Sequence, residues 1–237
     1  MRVTGWRCAV CGSELEIATS FPWRCPNSTN RDRRHVLQIV DGPAARNGFE
    51  PGSGAVDGPA GDANPYLRHD SDLAWAAYAD ANGLDLAARR QLVTDLDHAV
   101  SDVAGVGFVP TSFGRSAALS DALGFVGRGG VWVKDETGGV GGSQKARHLF
   151  TILLHLRAAE ILGHLTERPP LAIASCGNAA LAAATLARAA GGPLEVDVPI
   201  WLSEGFGDQL DRRRARGHRC ARGTSVPAGD PALSRYS

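Results

Sequence analysis

Lysine is nearly missing from this chain. Of 25 basic residues only Lys134 and Lys145 are lysine, so chemistry that needs a primary side-chain amine has two candidates. A surplus of either charge is missing too, since 25 basic residues face 25 acidic ones. That balance excludes a surface built to follow nucleic acid or anionic lipid, which needs a basic excess. No apolar run reaches the roughly 18 residues of a membrane span. The nearest, residues 171–187, is interrupted by Ser175, Gly177 and Asn178. Met1 to Cys11 has no apolar core of a signal peptide. Cysteine is scarce and odd in number, five in all. With no export signal the thiols read as reduced, in a cytoplasmic protein. What the chain does have is apolar content, 43% of 237 residues at a mean hydropathy of -0.13. That suffices for the core of one large or two small domains. No internal repeat is visible.

The texture changes along the chain. Residues 1–40 carry Trp6, Cys8, Cys11, Trp23, Cys25 and His35 with little periodicity. Residues 41–65 are rich in Gly, Pro, Ala and Asp and read as a linker. A helix is expected over 71–83, capped by Ser71 and stopped by Asn82-Gly83. A second is expected from Asp85 to Val103, with Leu92, Leu96, Ala99, Val100 and Val103 on its buried stripe. Phe108-Val-Pro-Thr111 is extended ahead of its proline. From Val131 the order becomes strand (131–133), glycine-rich loop (135–142) and helix (145–162), the helix burying Leu149, Ile152, Leu153, Leu156 and Ala159. A strand (171–175), an alanine-rich helix to Ala190, a strand (194–202) bent or at an edge near Pro199, and a helix (205–216) follow. This alternation predicts an α/β fold with βαβ units and a parallel sheet.

The densest motif is Lys134-Asp-Glu136-Thr-Gly-Gly-Val-Gly-Gly142-Ser143-Gln144-Lys145-Ala146-Arg147. A phosphate-binding P-loop needs Gly before the lysine and Ser or Thr after it, and here Gln144 and Ala146 stand there. No G-x-G-x-x-G spacing occurs in the loop either. Two readings stay open: a nucleophilic lysine whose neutral form is favoured by a helix N-terminus, or a solvated surface lysine.

Trp132-Val-Lys-Asp-Glu136 with Gly142-Ser143-x-Lys145-x-Arg147 resembles the cofactor-lysine segment of the pyridoxal-phosphate enzymes of the tryptophan synthase β fold, such as threonine synthase, threonine dehydratase and diaminopropionate ammonia-lyase. Phe108-Val-Pro-Thr111 and Leu119 to Leu123 resemble the family's approach to that segment, and Ser175-Cys176-Gly177-Asn178 its Ser-Gly-Asn loop. The resemblance covers about residues 108–202. It implies a lyase or β-replacement enzyme acting on a small amino acid derived from serine or threonine, with pyridoxal 5'-phosphate as cofactor. Lys145 would be the Schiff-base lysine and the base at the substrate Cα. Asn178 would bond the ring hydroxyl oxygen, and Ser175, Cys176 and Gly177 would receive the substrate carboxylate. Asn178 also reads as a plain helix cap, Ser143 as a helix cap or a cofactor contact, and Cys176 as a small buried filler.

The chain departs from the family at Gln144, where an aromatic is usual, and at Ala146, where an aspartate is usual. The family's phosphate loop and its partner for the pyridine nitrogen come later than residue 237. The expectation is therefore an incomplete fold: a cofactor-binding part over 66–165 and a truncated small α/β domain over 166–237, either a homodimer or completed by a missing C-terminal half. Cys8-x-x-Cys11-Gly12 is half of a zinc knuckle, Cys25 offers a third ligand and His35 is the nearest fourth. A short zinc-ribbon-like N-terminus also occurs among threonine-synthase-like proteins. The alternatives here are a zinc site and reduced thiols that hold no metal. The second functional reading is a non-catalytic, zinc-binding half-domain that needs a partner.

Overall fold

The computed structural model describes residues 3–42, 63–127, 129–168, 170–175, 177–199 and 220–223. In chain order the elements are β1 (Val3–Cys8), β2 (Glu14–Glu16), β3 (Leu37–Asp41), α1 (Pro65–Arg68), α2 (Ala74–Ala81) and α3 (Leu86–Ala104). Then come β4 (Phe113–Arg115), α4 (Ala117–Ala122), β5 (Trp132–Lys134), α5 (Lys145–Ile161), β6 (Leu171–Ala174), α6 (Asn178–Ala189), β7 (Leu194–Pro199) and β8 (Cys220–Gly223). The chain is mixed α/β. No helix among the described residues is long and apolar enough to cross a membrane. Two compact units form, one from residues 1–96 with 150–168 and one from 97–149 with 169–237.

In the first unit, the N-terminal residues form an antiparallel sheet in the order β2-β1-β3, compatible with the zinc-ribbon-like segment expected there. Trp6 pairs with both Leu15 and Ile39. Gly5 permits the close approach of β2, because a Cβ there would run into the Leu15 carbonyl. Around α2 the core gathers Tyr66, Trp75, Tyr78, Val93, Phe150 and Leu154, all at most 5% exposed. Helix α2 starts three residues later than expected. Ser71 lies in a short 3-10 turn, Asp70–Asp72, and Leu73 takes the cap position without a side-chain bond. Its end is as expected, with Asn82 at the C-cap and Gly83 at φ 91°. Arg89 is buried on Asp70 (3.1 Å) and Asp80 (2.9 Å), and Asp85 caps α3 by accepting from the Ala88 N–H at 2.8 Å.

Two buried stripes are rotated from their expected positions. In α3, Val93 is buried with Leu96 and Val100, while Leu92 is only half-buried. In α5 the buried set is Ala146, Phe150, Leu153, Leu154, Ala158 and Ala159. Leu149, Ile152 and Leu156 are half-buried. Phe150 sets this face: its ring meets Tyr66 edge-on at 4.8 Å and 69°, a favoured aromatic geometry.

In the second unit, β6 pairs in parallel with β7, and β7 with β8. Helix α6 connects β6 to β7 and closes one face with Ala180, Leu181, Ala184 and Ala187, packed on Leu194 and Val196. Pro199 was expected near an edge or bend. It is instead the last residue of the middle strand, opposite Gly223, where a missing N–H breaks little of the ladder. The strand predicted at 131–133 forms one residue later and does not join β6. It pairs antiparallel with β4, Phe113 facing Lys134 and Arg115 facing Trp132. The Phe113 and Trp132 side chains of this pair are 65% and 54% exposed. The expected linker core (43–62), the helix at 205–216 and the tail after 223 lie outside the described residues.

Candidate functional site

The N-terminal sheet brings four metal-ligating groups together. Cys8 ends β1, Cys11 sits in the turn to β2, and Cys25 and His35 come from the connection to β3. The turn is shaped by the Gly12 N–H donating to the Cys8 carbonyl (2.9 Å) and by φ +73° at Gly12, a backbone that L side chains rarely adopt. Cys8 Sγ lies 3.4 Å from His35 Nδ1 and Cys11 Sγ lies 3.5 Å from Cys25 Sγ. All four ligand atoms fall within 4.8 Å of one another. A tetrahedral ion with metal–sulfur bonds of about 2.3 Å and metal–nitrogen bonds of about 2.0 Å sets such atoms about 3.5–3.8 Å apart. The donor set therefore fits a closed four-coordinate metal centre.

The four groups shift one another's ionisation in different directions. Cys11 is lowered to about 5, first by the Ser13 hydroxyl and then by the Ser13 backbone N–H. Burial acts against ionisation of Cys8, but the backbone N–H groups of Cys11 and Val10, with His35, bring it below its usual value. Burial pushes the Cys25 thiol up. His35 is raised, first by Cys8 and then by Cys11. Thiolate is the form that binds metal.

Residues beyond the four support them. Asn27 Nδ2 donates to Ser13 Oγ (2.8 Å) and reaches Cys11 Sγ at 3.5 Å. Asp32 stands 3.8 Å from His35 Nε2, on the side of the ring away from the sulfurs, and is itself held by Arg34 at 3.1 and 3.2 Å. A carboxylate behind a ligating histidine fixes its ring orientation. Sequence reading passed over Asp32, although its place three residues before His35 was a local signal.

The second cluster lies at the start of α5. Gly141 and Gly142 both have φ of 70°, which lets the chain reverse into the helix. Ser143 is buried, and its Oγ accepts the Lys145 N–H at 3.3 Å. Lys145 begins α5 with its side chain exposed. The other lysine is engaged: Lys134 Nζ donates to the Thr111 carbonyl at 2.6 Å and lies 3.7 Å from Glu136. Glu136 accepts from Thr111 Oγ1 (2.6 Å) and from Arg147 Nε (2.9 Å). The Thr111 hydroxyl first, then Arg147, holds the Glu136 carboxyl below the usual range despite burial. Arg147 also donates to the Val109 carbonyl at 2.9 Å. The first turn of α5 is thus fastened to the 109–111 segment, two residues beyond Lys145. A narrow cleft beside it, lined by Phe108, Val140, Ser143 and Arg147 among others, encloses essentially no space for a bound molecule.

Ser175, Gly177 and Asn178 form the turn from β6 into α6. The Gly177 N–H donates to Ser175 Oγ at 3.3 Å, and Asn178 is the exposed first residue of the helix. Cys176 lies outside the described residues. The glycine turn before Lys145 packs on the same helix, since a Cβ at Gly141 would sit 3.7 Å from the Ala182 backbone. Both segments singled out in the sequence are therefore tied to α6, one as its start and one along its side.

No family model matches the chain, and no curated protein does. Among solved structures it is similar to a pyridoxal 5'-phosphate-dependent aspartate racemase, at 23% identity and a TM-score of 0.44. The alignment covers 61% of this chain and 43% of the racemase, so the chain spans less than half of that protein's length.

Proposed function

We propose that this chain is a zinc-binding protein whose first unit is held by one structural ion on Cys8, Cys11, Cys25 and His35. The observation that carries this reading is the convergence of all four ligand atoms within 4.8 Å from positions spread over 28 residues of chain, counting from Cys8 to His35. A closed Cys3His site leaves no open coordination position, so its work is folding rather than catalysis. Metal analysis of protein purified without chelator tests it: one zinc per chain is expected, and none would remove the reading.

A second reading concerns the other unit and is favoured by a different observation. The glycine turn that delivers Lys145 is seated on α6, the helix that opens at Asn178. With the sequence motifs, this supports part of a pyridoxal-phosphate enzyme of the tryptophan synthase β type, a lyase or β-replacement enzyme acting on a small amino acid. Bound there, the cofactor would supply an electron sink. Lys145 would hold it through the side-chain amine and move the proton at the substrate Cα. Asn178 would bond the ring hydroxyl oxygen, and Ser175, Cys176 and Gly177 would receive the carboxylate at a helix N-terminus. A second copy or a further segment would complete the site. Borohydride reduction with pyridoxal phosphate followed by peptide mapping tests this. Label on Lys145 is expected; label on Lys134 with Lys145 untouched would sink it.

A further inference from the structure

The chain leading into the third ligand is held from outside the metal cluster. Three groups of the first unit grip residues 18–23, just before Cys25. Asn82 Nδ2, at the end of α2, donates to the Ala18 carbonyl at 3.2 Å and to the Tyr78 carbonyl at 2.9 Å. His155, in α5, donates through Nε2 to the Ser20 carbonyl at 2.6 Å. His164 Nδ1 lies 3.1 Å from Ser20 Oγ and 2.7 Å from the Tyr78 hydroxyl. Rings continue the contact: Trp23 meets His155 at 5.1 Å, and His155 stacks on Tyr78 at 4.2 Å and 27°. Tyr78 is 0% exposed and His155 is 5% exposed. Helix positions far from the sulfurs in sequence thus set the path on which Cys25 arrives.

We infer that Asn82 and His155 are positioning residues of the metal centre, so that ion binding and the packing of α2 and α5 are one linked equilibrium. The inference rests on the zinc reading above. If the anchored loop presents Cys25 correctly, the anchors raise metal affinity. By reciprocity the ion then stabilises the anchors by the same factor. Loss of groups that orient a ligand costs roughly 10- to 100-fold in metal affinity. His155→Phe keeps an aromatic ring over Tyr78 and removes the donor to Ser20. Asn82→Ala removes the donor to Ala18 and leaves all four ligands in place.

The test is zinc affinity of the full chain, measured by competition with a chromophoric chelator, in wild type and in the two variants. It is paired with amide hydrogen exchange of the wild type with and without zinc. The expected result is affinity about tenfold or more weaker in each variant at one zinc per chain, and faster exchange at Tyr78 to Asn82 and at Leu154 to Ile161 once zinc is stripped. Variants that fold and bind as tightly as wild type would overturn the coupling while leaving the zinc reading intact. Wild-type protein that takes up no zinc would overturn both. Should either variant fail to fold, the wild-type exchange decides: protection that is the same with and without zinc overturns the coupling.

Discussion

The cluster of three cysteines and a histidine in the first unit and the lysine turn of the second are built in opposite ways. In the cluster, four groups from β1, its turn and the β2–β3 connection converge on one point, and each shifts its neighbours' ionisation. At the turn, one amine is presented outward from the first residue of α5, while the groups around it, Glu136, Arg147 and Thr111, bond to one another. A convergent cluster is defined by the distances among its own protein atoms. An outward-facing side chain shows only how the turn beneath it is fastened, here through Glu136 and Arg147. The first kind is therefore read from geometry, and the second needs chemistry to be read at all.

The largest effect should come from breaking convergence. Cys25→Ser replaces a buried thiolate ligand by a hydroxyl, so zinc per chain measured by mass spectrometry should fall well below the one expected of wild type, since a closed structural site needs its four donors. The fastening of the turn comes next. Glu136→Gln leaves Arg147 without its carboxylate, and urea unfolding should show a loss of about 1.5–3 kcal/mol, the range for hydrogen bonds to charged groups.

Acid should separate the two regions by pH. His155 is lowered from 6.5, by burial first, so the unfolded chain binds its proton more readily than the folded one. The stability it contributes is complete above about pH 6.5 and is lost as pH falls below it. Tyr78 and His164 are the titratable groups of the ring cluster around it. Glu136 is lowered from 4.5, so its contribution is complete above about pH 4.5 and is lost as pH falls through the folded value. Thermal melts of wild type, His155→Phe and Glu136→Gln across pH 4–7 check both, each variant flattening the slope only in its own window. The smallest effect on stability belongs to Lys145→Ala, within about 0.5 kcal/mol for an exposed position, while the borohydride-dependent label disappears.

Much of this was legible in the chain itself. Cys8-x-x-Cys11-Gly12 suggested half of a metal knuckle, and Cys25 and His35 do come together with it in space. Helices α3, α5 and α6 were visible as long periodic stretches, because many turns average out irregular positions. Their buried faces were not, since one residue such as Phe150, meeting Tyr66, can rotate a helix about its axis. The strands β2 and β4 are three residues each, less than two periods of alternation, and pairing alone defines them. The roles of Glu136 and His155 were hidden for another reason. Their partners stand 25 and 135 residues away, and no local pattern encodes such a distance.

The β4–β5 pair has a consequence for handling the protein at the bench. Its strands carry Phe113 and Trp132 outward, with ring centroids 5.6 Å apart, beside exposed Val133. Two short strands that pair with each other and with no third among the described residues leave backbone donors and acceptors next to bare aromatic surface. Sulfate strengthens apolar association because it is excluded from protein surface, and mild chaotropes weaken it. Light scattering should therefore rise with ammonium sulfate at concentrations where Trp132→Lys protein stays clear, and storage buffers should be chosen with this face in mind.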